Sequence, residues 1–297
     1  MKFGTLYNTL PITGMPIADV RTVYAWIQGN LSGLTRVSPA ADLSALASPG
    51  AQGVTLATEV YALADARQAT NPVFIELNYI GRYYSSASYC VTALGVRVGT
   101  GYSGGVLTGS MSDAAVRWAA PSAITPSRQL GAYAALSGAQ GLFIGGYVNS
   151  SYYFHLLVQR ATDPVSGNLV PDVLVTLRGN DTSEGNAGAV LHYDPVTGVE
   201  TRVGGTVTHH PASGPTLLSS ASGYVVTGPY YHVAGKTFGG ASLNSLLLTL
   251  GADAAVEAAH YPVTVGNVTK RFYAPMGLSN GYTSFSSSHV LLLRLED

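Results

Sequence analysis

The sequence predicts a mainly β protein: one or two antiparallel β-sandwich or jelly-roll-like domains, preceded by an extended N-terminal segment with a short helix. Three observations carry this. Apolar residues come in short runs of period two, the spacing of a strand with one buried face. Glycine (35) and proline (15) punctuate those runs more often than the roughly 12% of average usage. Two turn signatures of the form D-P-V-[ST]-G, Asp163–Gly167 and Asp194–Gly198, each lie between β-like runs.

The first seventy or so residues differ from the rest. Met1–Met15 reads as extended, with Pro11 and Pro16 blocking a helix. Val20, Val23, Tyr24 and Ile27 then fall on one helical face. Asp19 is the expected N-cap of this helix and Gly29 its left-handed C′ residue. Residues 32–53, with Pro39 and Pro49, read as a linker or loop. Residues 54–69 fit two templates. Val54, Leu56, Thr58 and Val60 alternate as a strand, whereas Leu56, Val60, Leu63 and Arg67 are spaced as a helix, and the pattern does not choose.

From Pro72 onward the pattern is β. Val73, Ile75, Leu77 and Tyr79 define one strand face, and Phe74, Glu76 and Asn78 the other. Strands are expected at Ser88–Val98, with Gly95 as a bulge, and at Val106–Ser110, Leu142–Val148, Tyr152–Gln159 and Val173–Arg178. Residues 111–140, rich in Ala and Ser, read as irregular. In each D-P-V-[ST]-G turn, Asp bonds the turn backbone, Pro presets φ and Gly takes the left-handed position. Both are therefore expected to close β-hairpins. Short strands follow at Thr216–Leu218, Gly223–Thr227, Leu243–Leu250, Tyr261–Val265, Val268–Tyr273 and Val290–Leu295. A faint similarity links Phe74–Tyr84 with Phe143–Tyr153. The organisation expected is an arm over 1–71 that docks or oligomerises, a first β region over 72–160 and a second over 161–297. One continuous β domain over the last two is the alternative.

Charged residues make up only 10% of the chain, against about 25% in an average domain. Such a chain stays in solution by covering itself with Ser, Thr, Asn and Gly, or by hiding surface against other subunits. Lysine is the residue most depleted from interfaces and tyrosine is enriched there; the chain has Lys2, Lys236 and Lys270 only, and 19 tyrosines. Tyrosine lining β-strands is the plainer account of the same count. The net charge of −1 and pI near 6.6 show no basic patch for nucleic acid. Cys90 stands alone, so no disulfide forms within the chain, and its apolar neighbours favour a buried structural thiol. The N-terminal residues lack the pattern of a secretory signal, and the apolar stretch Leu243–Leu250 is too short to span a bilayer. Synthesis and assembly in the cytoplasm, without a membrane partner, are the expectation.

Motifs that carry chemistry elsewhere are discounted here. Gly99–Gly104 matches G-x-G-x-x-G and Gly101–Gly105 matches G-x-S-x-G. A dinucleotide loop and a nucleophile elbow both require a following helix. Here Val106–Thr108 follows, so a hairpin loop explains the glycines. His209–His210 would point to opposite faces of a strand. His155, His192, His232, His260 and His289 are scattered singly, although a trimer would bring copies of one histidine to its axis. Asp163, Asp172, Asp181, Glu184 and Asp194 lie in or beside turns, where Asp has a structural role. A glycosidase pair need not be close in sequence, but Trp26 and Trp118 are few for a sugar-stacking site. No catalytic, cofactor-binding or metal-ligating residue is assigned, and no cofactor is expected.

Several stretches resemble β-rich virion structural proteins of tailed bacteriophages, of the neck, collar or tail type. They are Pro72–Tyr79 with Val98–Gly105, Phe154–Asp163 running into its turn, and Arg271–Leu278 with Leu291–Glu296. The resemblance implies a non-enzymatic, oligomeric subunit that contacts copies of itself and other virion proteins. It transfers no catalytic residue. A host-receptor or carbohydrate-binding fibre module is the alternative expectation, and a polysaccharide-degrading hydrolase the third.

Overall fold

The computed structural model describes residues 17–47, 54–84, 89–109, 118–119, 130–148, 152–163, 166, 168–178, 189–204, 210–211, 217–219, 225–227, 229–233, 236–239, 247–251, 259–265, 267–274 and 289–294. The expected extended segment Met1–Met15 lies outside these residues. The fold is mainly β with one short N-terminal helix, and among the described residues every strand pair is antiparallel.

Helix α1 (Ile17–Gly29) buries Val23, Tyr24 and Ile27 completely, which is the expected face. Its ends differ from expectation. Asp19 is the third helical residue and so not the cap. Gly29 is the last helical residue and is not left-handed. The closing turn tightens instead: Asn30 N–H donates to the Ile27 carbonyl (2.9 Å) and Asn30 Nδ2 to the Trp26 carbonyl (2.7 Å). These bonds satisfy carbonyls that a helix end leaves open.

Residues 33–47 are not a free linker. β1 (Thr35–Arg36) is followed by a 3-10 turn at Leu43–Ala45, capped by Asp42. Leu34, Leu43 and Leu46 are buried, and the Arg21 guanidinium donates to the Leu46 carbonyl (2.9 Å from Nε). Apolar anchors therefore pin an Ala-rich segment to α1. The ambiguous stretch becomes β2 (Val54–Ala62), because pairing with β3 (Phe74–Tyr84) satisfies its backbone along most of its length. β4 (Tyr89–Gly99) pairs with β3 in unbroken register, so Gly95 is no bulge. It sits opposite Asn78, and a Cβ there would crowd Ile80 Cδ1 at 3.2 Å. Cys90 lies on this strand, as expected. β5 (Gly101–Ser103) and β6 (Val106–Thr108) form a hairpin, and β7 (Trp118–Ala119) pairs with β4. The first sheet runs β1-β2-β3-β4-β7.

β8 (Leu130–Gly138) lies in the region expected to be irregular, while the rest of 111–129 apart from β7 is outside the described residues. β9 (Gly141–Val148), β10 (Tyr152–Thr162), β11 (Leu169–Arg178), β12 (Ala189–Asp194) and β13 (Val199–Gly204) follow. The second sheet is a six-stranded meander, β13-β12-β11-β10-β9-β8. Phe74–Tyr84 is a single strand whereas Phe143–Tyr153 spans β9 and the start of β10, so the faint similarity between them is not structural. The remaining strands are β14 (His210–Pro211), β15 (Leu217–Ser219), β16 (Val225–Thr227), β17 (Pro229–Val233), β18 (Lys236–Gly239), β19 (Leu247–Gly251), β20 (Ala259–Val265), β21 (Val268–Ala274) and β22 (His289–Arg294). They form a three-stranded sheet, β14-β17-β18, and a six-stranded sheet, β15-β16-β19-β22-β21-β20.

Directly opposed residues share a sheet face. On the first sheet, Tyr61, Ile75 and Val98 form one such row, and Tyr79 and Leu94 another. On the second, Ile144 and Leu156 are opposed, as are Leu142, Val158 and Val175. These side chains, with α1, make one buried cluster, so the two sheets enclose a common core in the manner of a sandwich. Gly33 runs close against β8: a Cβ there would fall 2.5 Å from the Ser137 carbonyl oxygen. Among the described residues, no helix is long and apolar enough to cross a membrane.

Candidate functional site

The sequence motifs resolve into turns. Gly104 (φ 58°) and Gly105 (φ 82°) occupy the two central positions of the β5–β6 hairpin, both in the left-handed region that suits a two-residue turn. The G-x-G-x-x-G and G-x-S-x-G strings thus both end in a turn that leads into β6, as expected of a hairpin loop. Both D-P-V-[ST]-G signatures close hairpins, β10–β11 and β12–β13. Asp163 Oδ1 accepts from Ser166 N (2.7 Å) and Ser166 Oγ (2.9 Å). Asp194 Oδ1 accepts from Val196 N (2.9 Å), and Gly198 is left-handed at φ 70°. Pro164, Val165 and Gly167 lie outside the described residues.

The other residues singled out from the sequence are not brought together. Asp172 is buried on β11, His155 lies on β10, His192 on β12, His210 on β14, His232 on β17, His260 on β20 and His289 on β22. His209, Asp181 and Glu184 are outside the described residues. Among the described residues, no group of three or more His, Cys, Asp or Glu is placed to hold a metal ion.

Two buried polar clusters emerge that the sequence did not announce. Glu59 stands on the inner face of β2 and is fully buried. Tyr61 Oη (2.6 Å) and Tyr79 Oη (2.9 Å) donate to its Oε2. Gln28 Nε2 (2.7 Å) and Ala41 N (2.9 Å) donate to its Oε1, with the Arg36 guanidinium at 3.5 Å. One carboxylate thereby ties α1, β1, the loop after it, β2 and β3. Tyr79 also packs edge-on against Tyr24, with ring centroids 5.0 Å apart.

Arg160 is the second. It is 1% exposed, and its Nε pairs with Asp65 Oδ2 at 2.7 Å. Its other nitrogens donate to the carbonyls of Pro171 and Asn71, both at 2.9 Å. Arg67 Nε donates to the Leu169 carbonyl alongside, and Ala64 N to the Ala139 carbonyl (2.7 Å). These bonds lash the connection between β2 and β3 to the near ends of β8–β11. Tyr193 Oη reaches the Gly109 carbonyl, which brings the β5–β6 hairpin to the same end. Among the described residues, the connections that gather there are 63–73, the β5–β6 hairpin, 139–140, the β10–β11 turn at Asp163, Ser166 and Asn168, and 195–198.

Neither cluster offers a reactive atom. Both oxygens of Glu59 and every nitrogen of the Arg160 guanidinium are engaged by the protein itself, away from solvent. Such arrangements fix elements relative to one another. Compared with known proteins, the chain matches no family model, and no curated protein is significantly similar to it. Composition was the only signal that could have pointed to these clusters. In so uncharged a chain, a lone Glu in V-T-L-A-T-E-V-Y-A and a lone Arg in L-L-V-Q-R-A are candidates for buried pairing.

The two tyrosines on Glu59 set an alkaline limit. Burial, followed for Tyr61 by the hydrogen bond to Glu59, raises both phenol pKa values above the ordinary range; for Tyr79 the other phenol and Glu59 add to burial. A raised phenol pKa means that the folded state keeps protons that the unfolded state releases. The stabilising effect is complete below the unfolded value near 10 and falls as pH rises beyond it. We expect a loss of about 1.4 kcal/mol per pH unit for each of these tyrosines. Urea midpoints measured between pH 9 and 11 check this, and Tyr61→Phe or Tyr79→Phe should each flatten the fall.

Proposed function

We propose that the chain is a non-enzymatic structural subunit of a bacteriophage particle, in the neck, collar, tail or head decoration. It works through interfaces with its own copies and with other virion proteins, and is assembled in the host cytoplasm. The observation that carries this reading is the surface chemistry: 10% charged residues, three lysines and 19 tyrosines over 297 residues. That is too few charges for an isolated solvated surface and suits one closed against neighbours. The internally saturated Glu59 and Arg160 clusters support it, since they rigidify a scaffold and leave no chemistry exposed. The stretches Pro72–Tyr79, Phe154–Asp163 and Arg271–Leu278, which resemble tailed-phage virion proteins, point the same way.

A second reading, a host-receptor or glycan-binding module, is favoured by one feature. Connections gather at one end of the sandwich, and Val106 (61% exposed) and Val196 (66%) stand out from hairpins there. The measurements separate the two. Light scattering behind gel filtration should give an oligomer at micromolar concentration, and mass spectrometry should find the chain at fixed stoichiometry in purified particles. A monomer absent from particles overturns the leading reading. Retention on host cells by a monomer would select the second.

A further inference from the structure

The six-stranded meander is sealed on both faces. Ile144, Leu156, Val158 and Val175 belong to the core shared with the first sheet. Strand alternation puts Phe143, Leu157 and Leu174 on the opposite face, outside that core. All three are nonetheless at most 1% exposed. The sequence carries the mark of this double burial, because L-F-I, L-L-V and V-L-V run apolar without alternation. The first sheet differs: its outer face carries Glu76 and Asn78, which are only half-buried.

The chain's own C-terminal strands reach the meander. β18 lies against β10, and β17 against β13. From His155 to Gln159, β10 is paired on both sides, with β9 and with β11. A neighbour meets such an interior strand through a face, and the inner face is filled by the core. The hairpin β17–β18, P-Y-Y-H-V and K-T-F-G, is rich in aromatic residues suited to an apolar face. β17 also lies against β19, which links the two C-terminal sheets. Yet among the described residues no backbone ladder joins β1–β13 to β14–β22. The core cluster runs from Val23 to Tyr193, and the bonds of Glu59 and Arg160 close within residues 28–171.

We propose that strands β14–β22 form a separate cooperative unit, docked on the outer face of the meander through the hairpin β17–β18. This unit lifts off while the sandwich of residues 17–204 stays folded, and its departure uncovers Phe143, Leu157 and Leu174. Regions joined by side-chain packing alone, without a shared ladder or polar lashing, open at lower free energy than the body they pack on. The inference stands apart from the virion reading, since it concerns the order of opening within one chain.

Native-state hydrogen exchange on the full chain tests this by comparing neighbouring leucines on opposite faces of β10. Leu156→Ala weakens the sandwich. It should speed exchange in β3 and β4 roughly tenfold or more and leave β17 and β18 unchanged. Leu157→Ala weakens the docking. It should speed exchange in β17 and β18 by a similar factor, and β3 and β4 should follow, because unfolding the sandwich forfeits the docking too. Ile144→Val and Leu174→Ala, on the inner and outer faces of other strands, should repeat the pattern if either leucine variant fails to fold. An inner-face variant that speeds all four strands alike shows that the chain opens as one body, and overturns the proposal. An outer-face variant that leaves β17 and β18 unchanged shows that they do not cover this face, and overturns it as well.

Discussion

Arg160→Met should cost about 3–5 kcal/mol, the range found when one partner of a buried ion pair is removed. The replaced side chain is 0% exposed and Asp65 3%, so water does not reach the carboxylate that remains. Asp65 would keep the Arg67 amide on Oδ1 (2.8 Å), and its other oxygen would lose the guanidinium. The carbonyls of Pro171 and Asn71 would lose their donors as well. Against a typical total stability of about 5–15 kcal/mol, that is enough to reduce soluble yield at 37 °C. Adding Asp65→Leu should recover part of the loss, because the stranded charge goes with it, whereas Asp65→Leu alone should strand the arginine. Urea midpoints of the two single variants and the double variant form a cycle that measures the coupling. A loss under about 1 kcal/mol for Arg160→Met would mean that the pair is hydrated and not buried.

The strands most legible in the sequence are those in which local pattern and tertiary packing agree. Val73, Ile75, Leu77 and Tyr79 alternate in sequence, and all four are fully buried. The D-P-V-[ST]-G turns are encoded within a few residues, so both hairpins could be placed. β8 was hidden because Leu130–Gly138 is largely Ala, Gly and Ser, which carry little strand preference, and its pairing with β9 decides the matter. β2 satisfies a helical and a strand template equally, and only the partner strand breaks the tie. Gly95 reads as a bulge because glycine weakens a strand, yet its absent side chain makes room for Ile80. The polar clusters were the least legible. Glu59 binds groups from residues 28, 36, 41, 61 and 79, and no local pattern encodes that convergence.

That convergence makes Glu59→Leu the other damaging change. The substitution removes the acceptor of four hydrogen bonds at once. Gln28 and Arg36 are partly exposed and can turn to water. The Tyr61 and Tyr79 hydroxyls and the Ala41 amide are held in place by the packing around them. At about 1–3 kcal/mol for each of these three unsatisfied groups, the loss should be about 3–9 kcal/mol. Glu59→Gln should be milder. Its carbonyl can take the Oε1 position facing Gln28 and Ala41, and its amide can donate to the tyrosine oxygens, whose hydroxyl protons rotate to suit. The two variants therefore separate loss of the acceptor from loss of the charge. Hydrogen exchange gives the spatial test. In Glu59→Leu, amides of residues 20–45 should lose protection before those of β3 and β4, because Glu59 fastens the helix and the loop after β1 to a sheet that has its own ladder. Equal midpoints for the two variants would show that the donors around residue 59 do not depend on a carboxylate, and that α1 is held by its apolar face alone.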